Sequence, residues 1–185
     1  MPQASPLPFD VPADVLARAA KIKLVLFDVD GVLTDGRLFL GDDGQEYKAF
    51  YSRDGLGMKA LQHSGVELGI ITGRTSRVVT HRARDLGIAH VYQGCLEKLV
   101  TYNELTQKLG LAPEVVAFVG DDVVDLPIMR KVGLAIAPHD GHHLVKPHAH
   151  WIAPHNGGHG AARDVCELIM AAQQTFAAQL VERYR

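Results

Sequence analysis

Leu24-Val25-Leu26-Phe27-Asp28-Val29-Asp30-Gly31-Val32-Leu33-Thr34-Asp35-Gly36 decides the fold. An unbroken apolar run is the pattern of a strand buried on both faces of a parallel sheet. It ends in two carboxylates one residue apart, and in open α/β sheets the functional crevice lies beyond the carboxyl ends of the strands. Alternation along an extended chain points Asp28 and Asp30 the same way. Two like charges so close need a cation or a shared proton between them. The pair reads as a site for a hard metal ion and for carboxylate chemistry; a polar turn closing a strand is the plainer alternative.

Outward from that strand, apolar runs and helical patterns alternate. Strands are expected at 22–27, 66–71, 88–92, 115–119 and 133–137, with helices at 13–20, 56–63, 76–86, 96–109 and 126–132. Such alternation gives an α/β doubly wound parallel sheet. Two short segments flank Gly41-Asp42-Asp43-Gly44, which predicts a β-hairpin flap over about 34–51, too small for a separate cap domain. Residues 1–12, proline-rich and aperiodic, are expected to be a loose tail, and 13–185 one domain. A last helix over about 161–183 would be roughly 34 Å long at 1.5 Å per residue.

Composition narrows the function classes. A formal charge of −2 gives no basic surface for nucleic acid or membrane. Cys95 and Cys166 are far apart, which suggests neither a disulfide nor zinc. No apolar run reaches 18 residues and the N-terminus has no secretory pattern, so a cytoplasmic protein is expected. Seven of the ten histidines fall between His139 and His159 and read as solvated loop residues rather than metal ligands.

The strand ends converge on one edge. The first supplies Asp28 and Asp30; the second Thr72, Gly73 and Arg74. The third is followed by Gln93 to Lys98, and the fourth by Asp121, Asp122 and Asp125. Oxygen ligands suit Mg²⁺, and Lys98, Arg74 and a hydroxyl suit a phosphoryl group. Phosphoryl transfer is the chemistry this set supports. A receiver domain uses similar residues, but no aspartate follows the third strand here.

The order DVDGV, ITGR, Lys98 and GDDVVD resembles the four motifs of the haloacid dehalogenase superfamily. "DVDGVLTDG", "RDGLGMKAL", "YQGCLEK" and "GGHGAARDVCELI" extend the similarity over about residues 14–175. The extended likeness is to the branch that hydrolyses 3-deoxy-D-manno-octulosonate 8-phosphate for lipopolysaccharide precursors. The resemblance implies Asp28 as nucleophile, forming an aspartyl-phosphate, and Asp30 as acid and then base, starting protonated. Thr72 and Lys98 would hold the transferring oxygens. Asp121 would bind Mg²⁺ with Asp28 and the Asp30 main-chain carbonyl, with Asp122 and Asp125 steadying them.

Sugar contacts implied by the resemblance are Tyr51, Ser52, Arg53, Asp54, Gly55, Lys59, Arg74 and Arg82, along with Lys98. Here Tyr51 replaces the family's Asn and Lys59 its frequent Arg, which loses a guanidinium fork. Gly157, Gly158, Gly160 and Arg163 would help close a neighbouring subunit's site in a homotetramer. Asp164 stands where Glu is usual. The remaining alternatives are a phosphatase of a nine-carbon ulosonate 9-phosphate and a non-catalytic sugar-phosphate-binding module.

Overall fold

The computed structural model describes residues 7–184. Its centre is β1 (Leu24–Phe27), with all four residues buried, as the unbroken apolar run requires. Around it lie β4 (Glu67–Ile71), β5 (His90–Tyr92), β6 (Val116–Val119), β7 (Leu134–Ala137) and β8 (Trp151–Ile152), in the order β5-β4-β1-β6-β7-β8. Every neighbouring pair is parallel; Phe27 stands beside Ile70 on one side and Val119 on the other. This is the doubly wound sheet expected. It has one strand more, because β8 is two residues long and carries no strand pattern of its own.

Alternation along the strands sorts the core into two layers. Val25, Phe27, Leu68 and Ile70 pack with α1 (Ala13–Ala19), α2 (Ser52–His63), α3 (Arg77–Leu86) and α6 (Ala161–Ala172). Leu24, Leu26, Val116 and Phe118 face α4 (Lys98–Leu109) and α5 (Leu126–Met129). Each fully buried aliphatic side chain contributes about 1.5–3 kcal/mol. Among the described residues no helix is long and apolar enough to cross a membrane.

β2 (Phe39–Leu40) and β3 (Glu46–Tyr47) pair antiparallel and form the expected flap. Other expectations need correction. Residues 7–12 are not a free arm: Leu7 is buried and the Phe9 ring lies 5.7 Å from that of Trp151. Residues 1–6 of the expected tail lie outside the described residues. The last helix is not continuous. α6 stops at Ala172, Gln174 takes a left-handed conformation at φ 61°, and the chain restarts as α7 (Phe176–Leu180). Gln173 donates to the Ile22 carbonyl at 2.7 Å and Thr175 N–H to Met170 at 2.8 Å. These bonds turn α7 back toward α2, where Phe176 and Leu180 cover the core.

Candidate active site

Beyond the ends of β1, β4 and β6 lies a cleft of about 370 Å³. Asp28, Asp30, Thr72, Arg74, Lys98, Asp121 and Asp122 face it, together with Gly36, Gly73, Cys95, Leu96 and Val124. Asp28 continues β1, donating its N–H to the Val119 carbonyl at 3.0 Å. Its Oδ1 accepts the Val29 N–H at 2.7 Å. The Val29 carbonyl then accepts the N–H groups of Leu33 and Thr34 at 2.9 and 3.0 Å, folding the chain sharply away toward the flap. Gly31 sits inside that turn at φ +88°, and a Cβ there would come within 2.1 Å of Asp121 Oδ2. Glycine at 31 is thus the condition for Asp121 to enter the site.

Lys98, the first residue of α4, reaches into the floor. Its Nζ lies 2.7 Å from Asp28 Oδ2 and 2.7 Å from Asp125 Oδ1. Burial alone would lower its pKa, but Asp28 and Asp125 outweigh burial and hold it above the ordinary lysine value. Asp125 is wholly buried, and its Oδ2 accepts the Asp121 and Asp122 N–H groups at 3.0 and 3.3 Å. The Asp122 side chain accepts the Val123 N–H at 2.7 Å, capping the short turn beneath. Asp122 and Asp125 therefore brace the loop after β6.

The residues fit a divalent cation. One oxygen each from Asp28, Asp121 and Asp125 lies within 4.8 Å of the others. Asp121 Oδ1 is buried without a hydrogen-bond partner among the described residues. Burial, then repulsion from Asp28 and Asp125, pushes the Asp121 carboxyl up to about 8. Asp125 is pushed up to about 6 by burial and Asp28, against the pull of Lys98. Carboxylates so destabilised as anions gain from a bound hard cation. Asp125 is fully buried behind the cleft lining, whereas Asp28 and Asp121 face the cleft and are the donors an ion there would meet. No histidine joins this grouping. His150 Nδ1 accepts the Ala135 N–H at 2.8 Å and His155 pairs with Asp164 at 2.9 Å.

Thr72 is buried at the cleft wall, its N–H bonded to the Tyr92 carbonyl at 3.0 Å and its carbonyl to the Cys95 N–H at 3.0 Å. Asp30 is turned toward the flap. Its Oδ1 pairs with Lys48 and its Oδ2 lies 3.7 Å from Arg74 Nε. Glu46 completes the rim, 3.2 Å from Lys48 and 3.0 Å from Arg74. The Ser76 hydroxyl, then Arg74 and Lys48, hold the Glu46 carboxyl down at about 2 although partial burial opposes them. Lys48 and Glu46 were not anticipated; their spacing of two, one in β3 and one just after it, which puts both side chains on one side of an extended chain, was the available signal.

The sugar contacts expected at the foot of α2 gather elsewhere. Arg82 donates to the Tyr51 carbonyl at 3.4 Å and lies over Phe50, and Arg53 over Tyr51. Asp54 is buried and accepts the Arg163 N–H at 2.9 Å. Burial pushes it up to about 6. Gly55 packs beside Arg82, while Ser52 and Lys59 are exposed. None of these lines the cleft around Asp28. The glycine segment has work within its own chain. Gly158 N–H bonds the Val32 carbonyl at 2.9 Å, and Gly157 N–H bonds Asp140 at 2.9 Å. A Cβ on Gly157 would fall 1.8 Å from the Gly31 carbonyl oxygen, and one on Gly158 2.5 Å from the Asp35 nitrogen. Gly160 lies against His155 instead.

Comparison with known proteins gives one consistent picture. Residues 53–133 match the model of haloacid dehalogenase-like hydrolases. The chain is 48% identical over 163 residues to 3-deoxy-D-manno-octulosonate 8-phosphate phosphatase KdsC of Escherichia coli K12, covering 88% of this chain and 87% of that protein. The Yersinia pestis phosphatase of that name is 49% identical over 160 residues, 86% of each chain. The crystal structure of the Moraxella catarrhalis phosphatase, in complex with magnesium, phosphate and KDO, superposes with a TM-score of 0.91 at 42% identity, over 93% of this chain and 98% of that one.

Proposed function

Because the chain belongs to the haloacid dehalogenase-like hydrolases and, among them, to the 3-deoxy-D-manno-octulosonate 8-phosphate phosphatases, we propose that it hydrolyses this eight-carbon sugar phosphate to the free sugar acid and phosphate. The observation that carries the reading is Lys98, held 2.7 Å from both Asp28 and Asp125 on the cleft floor. A buried ammonium there offsets the repulsion between Asp28 and an incoming phosphate.

An Asp28 carboxylate oxygen attacks phosphorus as the bond to the sugar oxygen breaks. The electron pair leaves on that oxygen, and Asp30 gives it a proton. The aspartyl-phosphate, an acyl phosphate, then hydrolyses: Asp30 takes a proton from the attacking water, phosphate departs and Asp28 is restored. Thr72 and Lys98 bind the phosphoryl oxygens throughout. Mg²⁺, held by Asp28, Asp121 and the Asp30 carbonyl, supplies charge neutralisation for the phosphate. Arg74, which reaches Asp30 and Glu46 across the cleft mouth, is suited to the sugar acid. Tyr51, Ser52, Arg53, Lys59 and Arg82 remain sugar contacts in this reading from outside the cleft lining, whereas Asp54 and Gly55 are buried and would act only by shaping that segment.

A homotetramer belongs to the same proposal. Its support is the apolar surface of the flap, where Leu38, Phe39, Leu40 and Tyr47 are all exposed. A cytoplasmic location also belongs to it, where the free thiols of Cys95 and Cys166 would stay reduced. The deciding experiment is phosphate release from the eight- and nine-carbon ulosonate phosphates side by side with Mg²⁺. Higher kcat/KM for the eight-carbon substrate is expected. Preference for the nine-carbon substrate would move the assignment, and release from no sugar phosphate would leave a binding module.

A further inference from the structure

The flap brings a charge onto a residue of the reaction. In β3 and the residue after it, side chains alternate: Tyr47 faces solvent, while Glu46 and Lys48 turn inward. The Lys48 side chain is 1% exposed, deeper than its place on a small hairpin would suggest. A lysine seldom gives up hydration without compensation. Here the compensation is two carboxylates, Glu46 at 3.2 Å and Asp30 in direct contact. Arg74, from the loop after β4, addresses the other Asp30 oxygen at 3.7 Å and Glu46 at 3.0 Å. Asp30, Lys48, Glu46 and Arg74 thus form a closed ring of alternating acidic and basic side chains, with half its members on the flap.

Asp28 is held from behind by Lys98 and by the N–H of the adjacent Val29. The Asp30 carboxylate has side-chain partners on the flap and the β4 loop instead. From this difference we propose that Lys48 is a positioning residue for Asp30, so that Asp30 is aimed at the leaving oxygen only when the flap is seated. The proposal rests on the reading of Asp30 as the proton donor. It makes closure of the flap and competence of the acid one event, without a contact between Lys48 and the sugar.

The test must separate aiming the acid from merely shutting the cleft. A series of substituted phenyl phosphates, alike in size and graded in leaving-group basicity, does so. The quantity read is kcat/KM, which ends at departure of the leaving group, so the later base role of Asp30 does not enter. With a working acid, the rate depends weakly on leaving-group basicity. In Lys48→Met the dependence should steepen, with the most basic phenol losing on the order of 100-fold and the least basic only a few-fold, the scale of general acid catalysis. Lys48→Arg should restore the shallow dependence, and Asp30→Asn should show the steep one. Adding Lys48→Met to Asp30→Asn should change the slope no further.

A uniform loss across the series in Lys48→Met, beside a steep line in Asp30→Asn, overturns the proposal alone. It would leave Lys48 as a clasp. Shallow lines in both variants overturn the acid assignment and the proposal together.

Discussion

On the floor of the cleft, Asp28, Asp121 and Asp125 stand at the ends of central strands or just beyond them, with Lys98 drawn in from a helix end. On the rim, Glu46 and Lys48 stand on or beside a strand of two residues, facing Arg74. The floor concentrates carboxylates beyond what one lysine neutralises, and burial pushes Asp121 to about 8 and Asp125 to about 6. The rim balances its charges, and Glu46 is held at about 2. A surplus of buried negative charge is a demand for a cation and a phosphoryl group. A balanced ring beside solvent is a fastening that can open. The two halves of the site therefore differ in what each requires to be complete.

The contrast breaks most visibly at Asp28. Asp28→Asn should cut phosphate release on the order of 10³-fold or more, the scale for loss of a nucleophile; retention of substantial turnover would remove Asp28 from that role. Chelation by EDTA should abolish most of the remaining wild-type rate and added Mg²⁺ restore it, as a floor lacking a positive charge demands; indifference to chelation would mean the floor is already balanced. Lys98→Met should lower stability in urea titration by about 3–5 kcal/mol, because it strands Asp125 at full burial. Adding Asp125→Asn should recover part of that loss, since the stranded charge is gone.

Asp54 tests the same principle away from the cleft. It is a buried carboxyl whose pKa rises from 3.8 to about 6, chiefly through burial. Between those values the folded state holds a proton that the unfolded state has released. Its contribution is therefore greatest at low pH and declines as pH rises through about 4 to 6, by roughly 1–3 kcal/mol. Asp54→Asn should flatten that part of the stability–pH curve. The smallest effect is expected on the rim, where Glu46→Gln should change kcat/KM only a few-fold, with the difference shrinking at high salt.

Much of the floor was legible because two simple periodicities place it. Asp28 and Asp30 follow an apolar strand, Asp121 and Asp125 follow another, and Lys98 opens a helix between them. Parallel pairing brings those ends together. The rim was harder to read because its strands are two residues long, too short for alternation to rise above loop composition. The start of α2 at Ser52 lies four residues before the helix expected from Leu56, because Gly55 reads as loop. Gly57 lies within that helix, where a Cβ would strike Arg163 of α6 at 2.7 Å, so the close approach of α6 needs glycine there. The break after Ala172 left no glycine or proline to mark it, since Gln174 supplies the left-handed residue. Tertiary hydrogen bonds decide that turn, and they connect parts of the chain far apart in sequence.

Gly157 and Gly158 lie against the backbone of Gly31 to Asp35, with room for hydrogen atoms alone. That contact ties the loop carrying the nucleophile to a segment made more than a hundred residues later, and so sets a timetable. During synthesis β1 and its aspartates emerge early, but the turn that aims them has no backing until residue 158 has left the ribosome. A nascent chain thus displays the motif long before it owns the site, and its completion waits for a segment more than a hundred residues downstream.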